Sequence, residues 1–266
     1  MMMGRRLIIP FTLLILLMAS ACGPARRAPE PLDAGDQALP GTIAELVHEA
    51  ESSFDRCGPV DAVQRSLAAT EVALASVPDH PEASLHAARA AAWLLELDES
   101  LDPAAKRDLA GRGVGYAETA LAAGGESVET VFLVGALLGL QLEAARVPLA
   151  PGKLGRVHEH FERAVELDPS FSDGAPLRAL GTLLVKAPSW PAGPGDVERG
   201  VELLTRAVLE HRDDPANHYY LGEALLADGQ RDQALASLQR VIDICARYDC
   251  DAVCRLYTAR VRAILP

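Results

Sequence analysis

The sequence predicts an all-α fold, an α-solenoid of about five stacked helix pairs, and three observations carry that prediction. From residue 42 onward the apolar positions recur at helical spacing. Ala and Leu abound while only 5% of residues are aromatic, so strands would have little local support. Small and bulky residues also recur in the same order in successive segments, as expected when one supersecondary unit is repeated. The chain has 266 residues, 49% of them hydrophobic, with a net charge of −12. That apolar content supports a packed core and argues against disorder. The acidity and the lack of a basic stripe argue against a nucleic-acid partner.

The first 21 residues read as an export leader. Arg5 and Arg6 form a basic start, and Leu7 to Met18 is apolar except for Thr12. That run falls short of the about 20 residues needed to span a bilayer and suits a signal peptide. Ala19-Ser20-Ala21-Cys22-Gly23 follows. It resembles the lipobox of bacterial lipoproteins, with Ala19 where that family usually carries Leu or Val. The resemblance implies lipidation of Cys22, and Gly23 rather than Asp after it implies the outer membrane, facing the periplasm. Ala19-Ser20-Ala21 equally satisfies the A-x-A rule of ordinary signal peptidase. Losing Arg5 and Arg6 with the leader takes the net charge from −12 to −14. Residues 22–40, with Pro24, Pro29, Pro31 and Pro40, read as a solvated tether.

Residues 41–266 read as one helical domain. Asp102-Pro103, Asp196 and Asp214-Pro215 mark helix starts, each placing a capping carboxylate ahead of a helix. Gly58-Pro59, Gly124-Gly125 and Gly229 mark stops. The segment 217–242, NHYYLGEALLADGQRDQALASLQRVI, places Leu221-Gly222, Leu225, Gly229, Ala234, Leu238 and Val241 at the positions of a tetratricopeptide repeat. Its small residues would let two antiparallel helices approach closely. Leu74, Ala120, Ala164, Ala207 and Val241 align as equivalent second-helix positions, 46, 44, 43 and 34 residues apart. The extra length is expected in loops at Leu149–Lys153 and Pro188–Gly195.

A second resemblance rests on LDPSFSDGAPLRALGTLLVKAPSWPAGPGDVERGVELLTRAV. It is similar to the T components of tripartite ATP-independent periplasmic (TRAP) transporters, lipoproteins of degenerate tetratricopeptide repeats. That resemblance implies a cleft or pore, a periplasmic solute-binding protein as partner, and self-association. A protein–protein adaptor for an envelope assembly, gripping a peptide, is the other reading.

The catalytic motifs G-x-S-x-G, H-E-x-x-H and the P-loop do not occur. The chain is expected to be a non-enzyme without metal or cofactor. Gly111, Gly113 and Gly115 lie in a helical pattern and read as packing glycines, and His158 and His160 stand two apart on a helix, facing different ways. Besides Cys22 there are Cys57, Cys245, Cys250 and Cys254, an even number in an exported chain, which suggests disulfides. Cys245 could pair with Cys250 or Cys254. By the tetratricopeptide alignment the concave face carries Leu85, Arg89, Trp93, Phe132, Arg178, Thr182, Lys186, Tyr219 and Glu223. Cations and aromatics converging there would suit an organic acid or an acidic peptide, and Trp190 in the long loop could close over it.

Overall fold

A computed structural model describes residues 45, 48, 60–145, 151–247 and 252–265. The leader, the tether, Cys22, Cys57, Cys250 and the Gly58-Pro59 stop lie outside these residues. The described chain forms ten helices and no strand. They are α1 (Val60–Ser76), α2 (Pro81–Leu97), α3 (Pro103–Gly124), α4 (Val128–Ala145) and α5 (Pro151–Leu167), then α6 (Phe171–Lys186), α7 (Val197–Glu210), α8 (Pro215–Ala227), α9 (Arg231–Cys245) and α10 (Ala252–Ile264).

Local chemistry places the boundaries where the sequence marked them. Asp102 caps α3 by accepting from the amides of Ala104 and Ala105, Asp196 caps α7 through Arg199, and Asp214 caps α8 through Asn217. Pro103 and Pro215 follow their caps at the first helical turn, where a missing N–H costs nothing. Gly125 ends α3 at φ 86°, a left-handed value that glycine adopts without strain. The expected loop at Leu149–Lys153 is corrected in part. Pro151, Gly152 and Lys153 already belong to α5, whose first-turn proline needs no amide partner.

The helices pair as antiparallel neighbours: α2 with α3, α4 with α5, α6 with α7 and α8 with α9, with α1 and α10 flanking them. The even-numbered helices also touch one another in series, so they form the inner layer and the odd-numbered helices the outer one. This is the predicted solenoid. Leu74, Ala120, Ala164, Ala207 and Val241 are all buried in odd-numbered helices, as the repeat alignment requires. At the α6–α7 crossing a Cβ on Gly181 would lie 2.9 Å from the carbonyl oxygen of Gly200. The two backbones meet too closely for any other residue.

Inner position explains composition. Helix α4 is buried continuously from Thr130 to Leu140, because partners cover it on several sides. It is long and apolar enough to cross a membrane by length and composition, yet its apolar residues serve the core of the solenoid. Outer helices bury a single stripe; α7 buries Gly200, Leu204 and Ala207. Each buried Leu removes enough apolar surface to contribute about 2 kcal/mol, and stacking distributes that burial along the array.

Candidate functional site

All nine residues expected on the concave face lie on the even-numbered helices, so the alignment placed them on the inner layer. Leu85, Arg89 and Trp93 are on α2, Phe132 on α4, Arg178, Thr182 and Lys186 on α6, and Tyr219 and Glu223 on α8. Their side chains, however, largely serve the protein itself. Phe132 is 1% exposed and stacks against Phe161 and Phe171, with ring centroids 5.7 and 6.2 Å away. Trp93 and Thr182 are buried as well.

The inner cations each face a carboxylate on another inner helix. Arg89 pairs with Glu129 of α4 in bidentate fashion, Nη2 donating to Oε2 at 2.6 Å and Nε to Oε1. Lys186 donates to Glu223 Oε2 at 3.1 Å, and Tyr219 donates to Glu223 Oε1 at 2.9 Å. Arg178, 2% exposed, donates to Asn217 Oδ1 at 2.6 Å and stands 3.7 Å from Asp214 Oδ1. Arg260 of α10 lies 3.7 Å from Glu96 Oε1 on α2. The first three cations therefore tie successive inner helices together, and the fourth ties the last helix back to α2.

Burial shapes the protonation of these groups. Loss of solvent raises the Asp214 carboxyl from 3.8 to about 6, against the opposing pull of Arg178. Glu96 is pushed well up for the same reason, with Arg260 opposing. His86, one turn before Arg89, falls to about 4 through burial first and the Arg89 charge second, so its imidazole is neutral near pH 7. Burial, followed by the charge of Glu223, raises the Tyr219 phenol.

Several residues of this network went unread in the sequence. Asn217 links Arg178 to the start of α6, where Nδ2 donates to the carbonyl of Asp173 at 2.9 Å. Ser172, Asp173 and Gly174 there have φ of 48°, 55° and 82°, a left-handed turn ahead of Pro176. Glu96, Glu129, Tyr220, Tyr257 and Arg260 complete the inner layer. A readable signal existed for the last group: Val253, Tyr257 and Val261 are spaced four apart, and the structure buries all three.

Helix α10 closes the array. It packs along α9 and α8 and reaches α2. Tyr257 inserts toward Tyr219 and Tyr220, with centroids 5.0 and 6.2 Å away. A disulfide joins Cys245, at the end of α9, to Cys254, with Cα atoms 5.3 Å apart.

Trp190 lies outside the inner layer, on the loop between α6 and α7, and is 85% exposed. The loop is nonetheless braced. Gly195 N donates to the carbonyl of Pro188, and Asp196 N to that of Leu184, both at 2.9 Å. A Cβ on Gly195 would lie 2.1 Å from the carbonyl oxygen of Ala187, so the loop closes only with glycine there.

No family model matches the chain, and no curated protein matches it in sequence. Among solved structures it is similar to TTC0263, a thermophilic TPR protein of Thermus thermophilus. The identity is 17%, covering 83% of this chain and 99% of that one, with a TM-score of 0.60. It is also similar to human IFIT1, solved as a dimer with m7Gppp-AAAA, at 17% identity and a TM-score of 0.57. That match covers 82% of this chain but 46% of IFIT1. With its paired helices, inner and outer layers and small residues at the crossings, the chain has the tetratricopeptide-repeat fold.

Proposed function

We propose that this protein is a non-enzymatic docking adaptor of a bacterial envelope, held to the outer membrane by lipid on Cys22 and facing the periplasm. The observation that carries the reading is Trp190: a large aromatic side chain, 85% exposed, at the tip of a braced loop. Exposing an indole has a hydration cost, and a rigid support lowers the entropy lost when a partner buries it. Such a side chain suits the centre of a protein interface. The inner cations favour an adaptor over a carrier of organic acids, since Arg89, Arg178 and Lys186 each already have a carboxylate close by.

The test replaces Trp190 with a photo-crosslinking phenylalanine derivative in the full chain in cells. A discrete adduct with one envelope protein is expected, together with lost co-purification of that protein by Trp190→Ala. Absence of any adduct at this position, with expression and helicity intact, would reject the docking role.

A TRAP T-component-like role is the second reading. It is favoured by the Pro/Gly-rich loop before α7 and by the Lys186–Glu223–Tyr219 group on the neighbouring inner helices. On that reading the partner is a periplasmic solute-binding protein, the ligand a small organic molecule, and the protein self-associates. Thermal stabilisation by organic acids, lost in Lys186→Ala, would favour it over the adaptor.

A further inference from the structure

Helix α10 differs from every inner helix it joins. Helix α4 is buried continuously over Thr130–Leu140, whereas α10 buries one stripe, Val253, Tyr257 and Val261, and exposes Arg255 and Arg262. It carries three arginines, Arg255, Arg260 and Arg262, and no acidic residue, in a chain of net charge −12. The surface beneath it offers the opposite charge through Glu96 on α2. It also offers an aromatic seat, Tyr219 and Tyr220. Arg260 lies 5.6 Å over the Tyr257 ring while reaching toward Glu96. This is the arrangement of an amphipathic basic helix lying in a groove.

The seat fits α10 incompletely. Glu96 and Arg260 form a long ion pair, with Glu96 Oε1 and Arg260 Nη1 3.7 Å apart and both atoms buried. Buried charges in that state contribute little net attraction, because desolvation offsets their Coulomb energy. Covalent attachment supplements it. The Cys245–Cys254 bridge pins the first turn of α10 to the end of α9. Added to the chain connection from α9, it narrows the positions open to the start of α10 and so disfavours any competitor.

We propose that the surface beneath α10 is a docking groove for a basic amphipathic helix of a partner protein, which α10 occupies until a dithiol opens the Cys245–Cys254 disulfide. In that step a thiolate of the dithiol attacks one sulfur and passes through a mixed disulfide. The dithiol leaves as its own disulfide, and Cys245 and Cys254 each gain one electron and one proton. The entering helix must bring an apolar residue, an aromatic four positions on, and Arg three positions after the aromatic, as Val253, Tyr257 and Arg260 do. Without such a donor, Glu96 would hold its proton and stay buried as an unpaired polar group, at a desolvation cost. The groove is thus selective for a cation as well as for an apolar stripe.

The probe is a fluorescent peptide of residues 252–265 carrying Cys254→Ser. It is titrated into the full chain in its oxidised form, after dithiothreitol treatment, and as a C245S/C254S variant. Fluorescence anisotropy is expected to show binding about tenfold tighter or more to the reduced chain and the variant than to the oxidised chain. Peptides with Tyr257→Ala or Arg260→Glu should lose that gain. Amides of residues 255–264 should exchange faster after reduction. Equal affinity in the two redox states, or α10 amides that keep their protection after reduction, would overturn the proposal. A concentration-dependent dimer formed on reduction would also overturn it, by making a second copy the occupant. Should C245S/C254S misfold, the reduced wild-type chain still decides. Trp190→Ala should leave peptide binding unchanged, which separates this groove from docking at the loop.

Discussion

Arg178 on α6 donates to Asn217 Oδ1 on α8 at 2.6 Å, in a site where both residues are buried. The same guanidinium faces Asp214, the carboxylate that caps α8, at 3.7 Å. An arginine that looked like a ligand contact is therefore a structural tie between two repeats. Replacing it leaves Asp214 buried beside no cation and Asn217 short of a donor. Arg178→Ala is expected to cost about 3–5 kcal/mol of stability, measured by urea unfolding. A loss below about 1 kcal/mol would contradict the tie.

Asp214 also sets a pH dependence. Its folded value, about 6, exceeds the ordinary 3.8, so the native state holds the proton more tightly than the unfolded chain. Its contribution to stability is complete below pH 3.8 and is lost as pH rises through about 6. His86 acts with the opposite sign, since its value falls from 6.5 to about 4 and its contribution is lost on acidification. Asp214→Asn keeps a capping side chain and removes one titration. The stability of wild type minus that of Asp214→Asn should fall between pH 4 and 7, by about 2–3 kcal/mol at most. The His86 slope is common to both proteins and cancels. A difference that stays flat across this range would remove Asp214 as a titrating group.

Backbone capping and repeat spacing were legible because they depend on neighbours in sequence. Asp102, Asp196 and Asp214 cap the helices they precede, and the five aligned second-helix residues are buried. The layer to which Arg89, Trp93, Phe132 and Arg178 belong was legible for the same reason. Their partners were not. Glu129 is 40 residues from Arg89 and Asn217 is 39 from Arg178, separations fixed by superhelical stacking rather than by local pattern. The Cys245–Cys254 pairing was one of the two open from sequence, but the seat of the closing helix was not legible, because its contacts reach from Arg260 back to Glu96, across nearly the whole described array.

The anchor makes a prediction independent of the helical domain. If Cys22 carries the lipid, Cys22→Ser should move the protein from the membrane fraction to the soluble fraction. A single acyl chain gives only marginal binding, whereas a multiply acylated cysteine holds firmly. Fractionation of cells expressing each form measures it. Persistent membrane retention of Cys22→Ser would place the attachment elsewhere in the chain.

The glycines divide by what their missing Cβ would meet, and two substitutions of the same kind should move stability in opposite directions. A Cβ at Gly181 would stand 2.8 Å from Leu204 Cγ and 2.9 Å from the Gly200 carbonyl oxygen, and that backbone cannot yield without opening the α6–α7 crossing. Gly181→Ala is expected to destabilise by about 1–3 kcal/mol. At Gly115, on the exposed side of α3, a Cβ would meet nothing within 4 Å. Gly115→Ala should stabilise by about 0.5–1 kcal/mol, because alanine loses less backbone freedom than glycine on entering a helix. Gly113, two residues earlier, is a packing position of a softer kind, since its Cβ would meet only side-chain atoms, Leu137 Cδ2 at 2.7 Å and Ala91 Cβ at 3.1 Å, so the run of three glycines does not act as one packing motif. Thermal unfolding of Gly181→Ala and Gly115→Ala checks both signs. Equal shifts in the two variants would show that helix propensity, not the crossing distance, governs these sites.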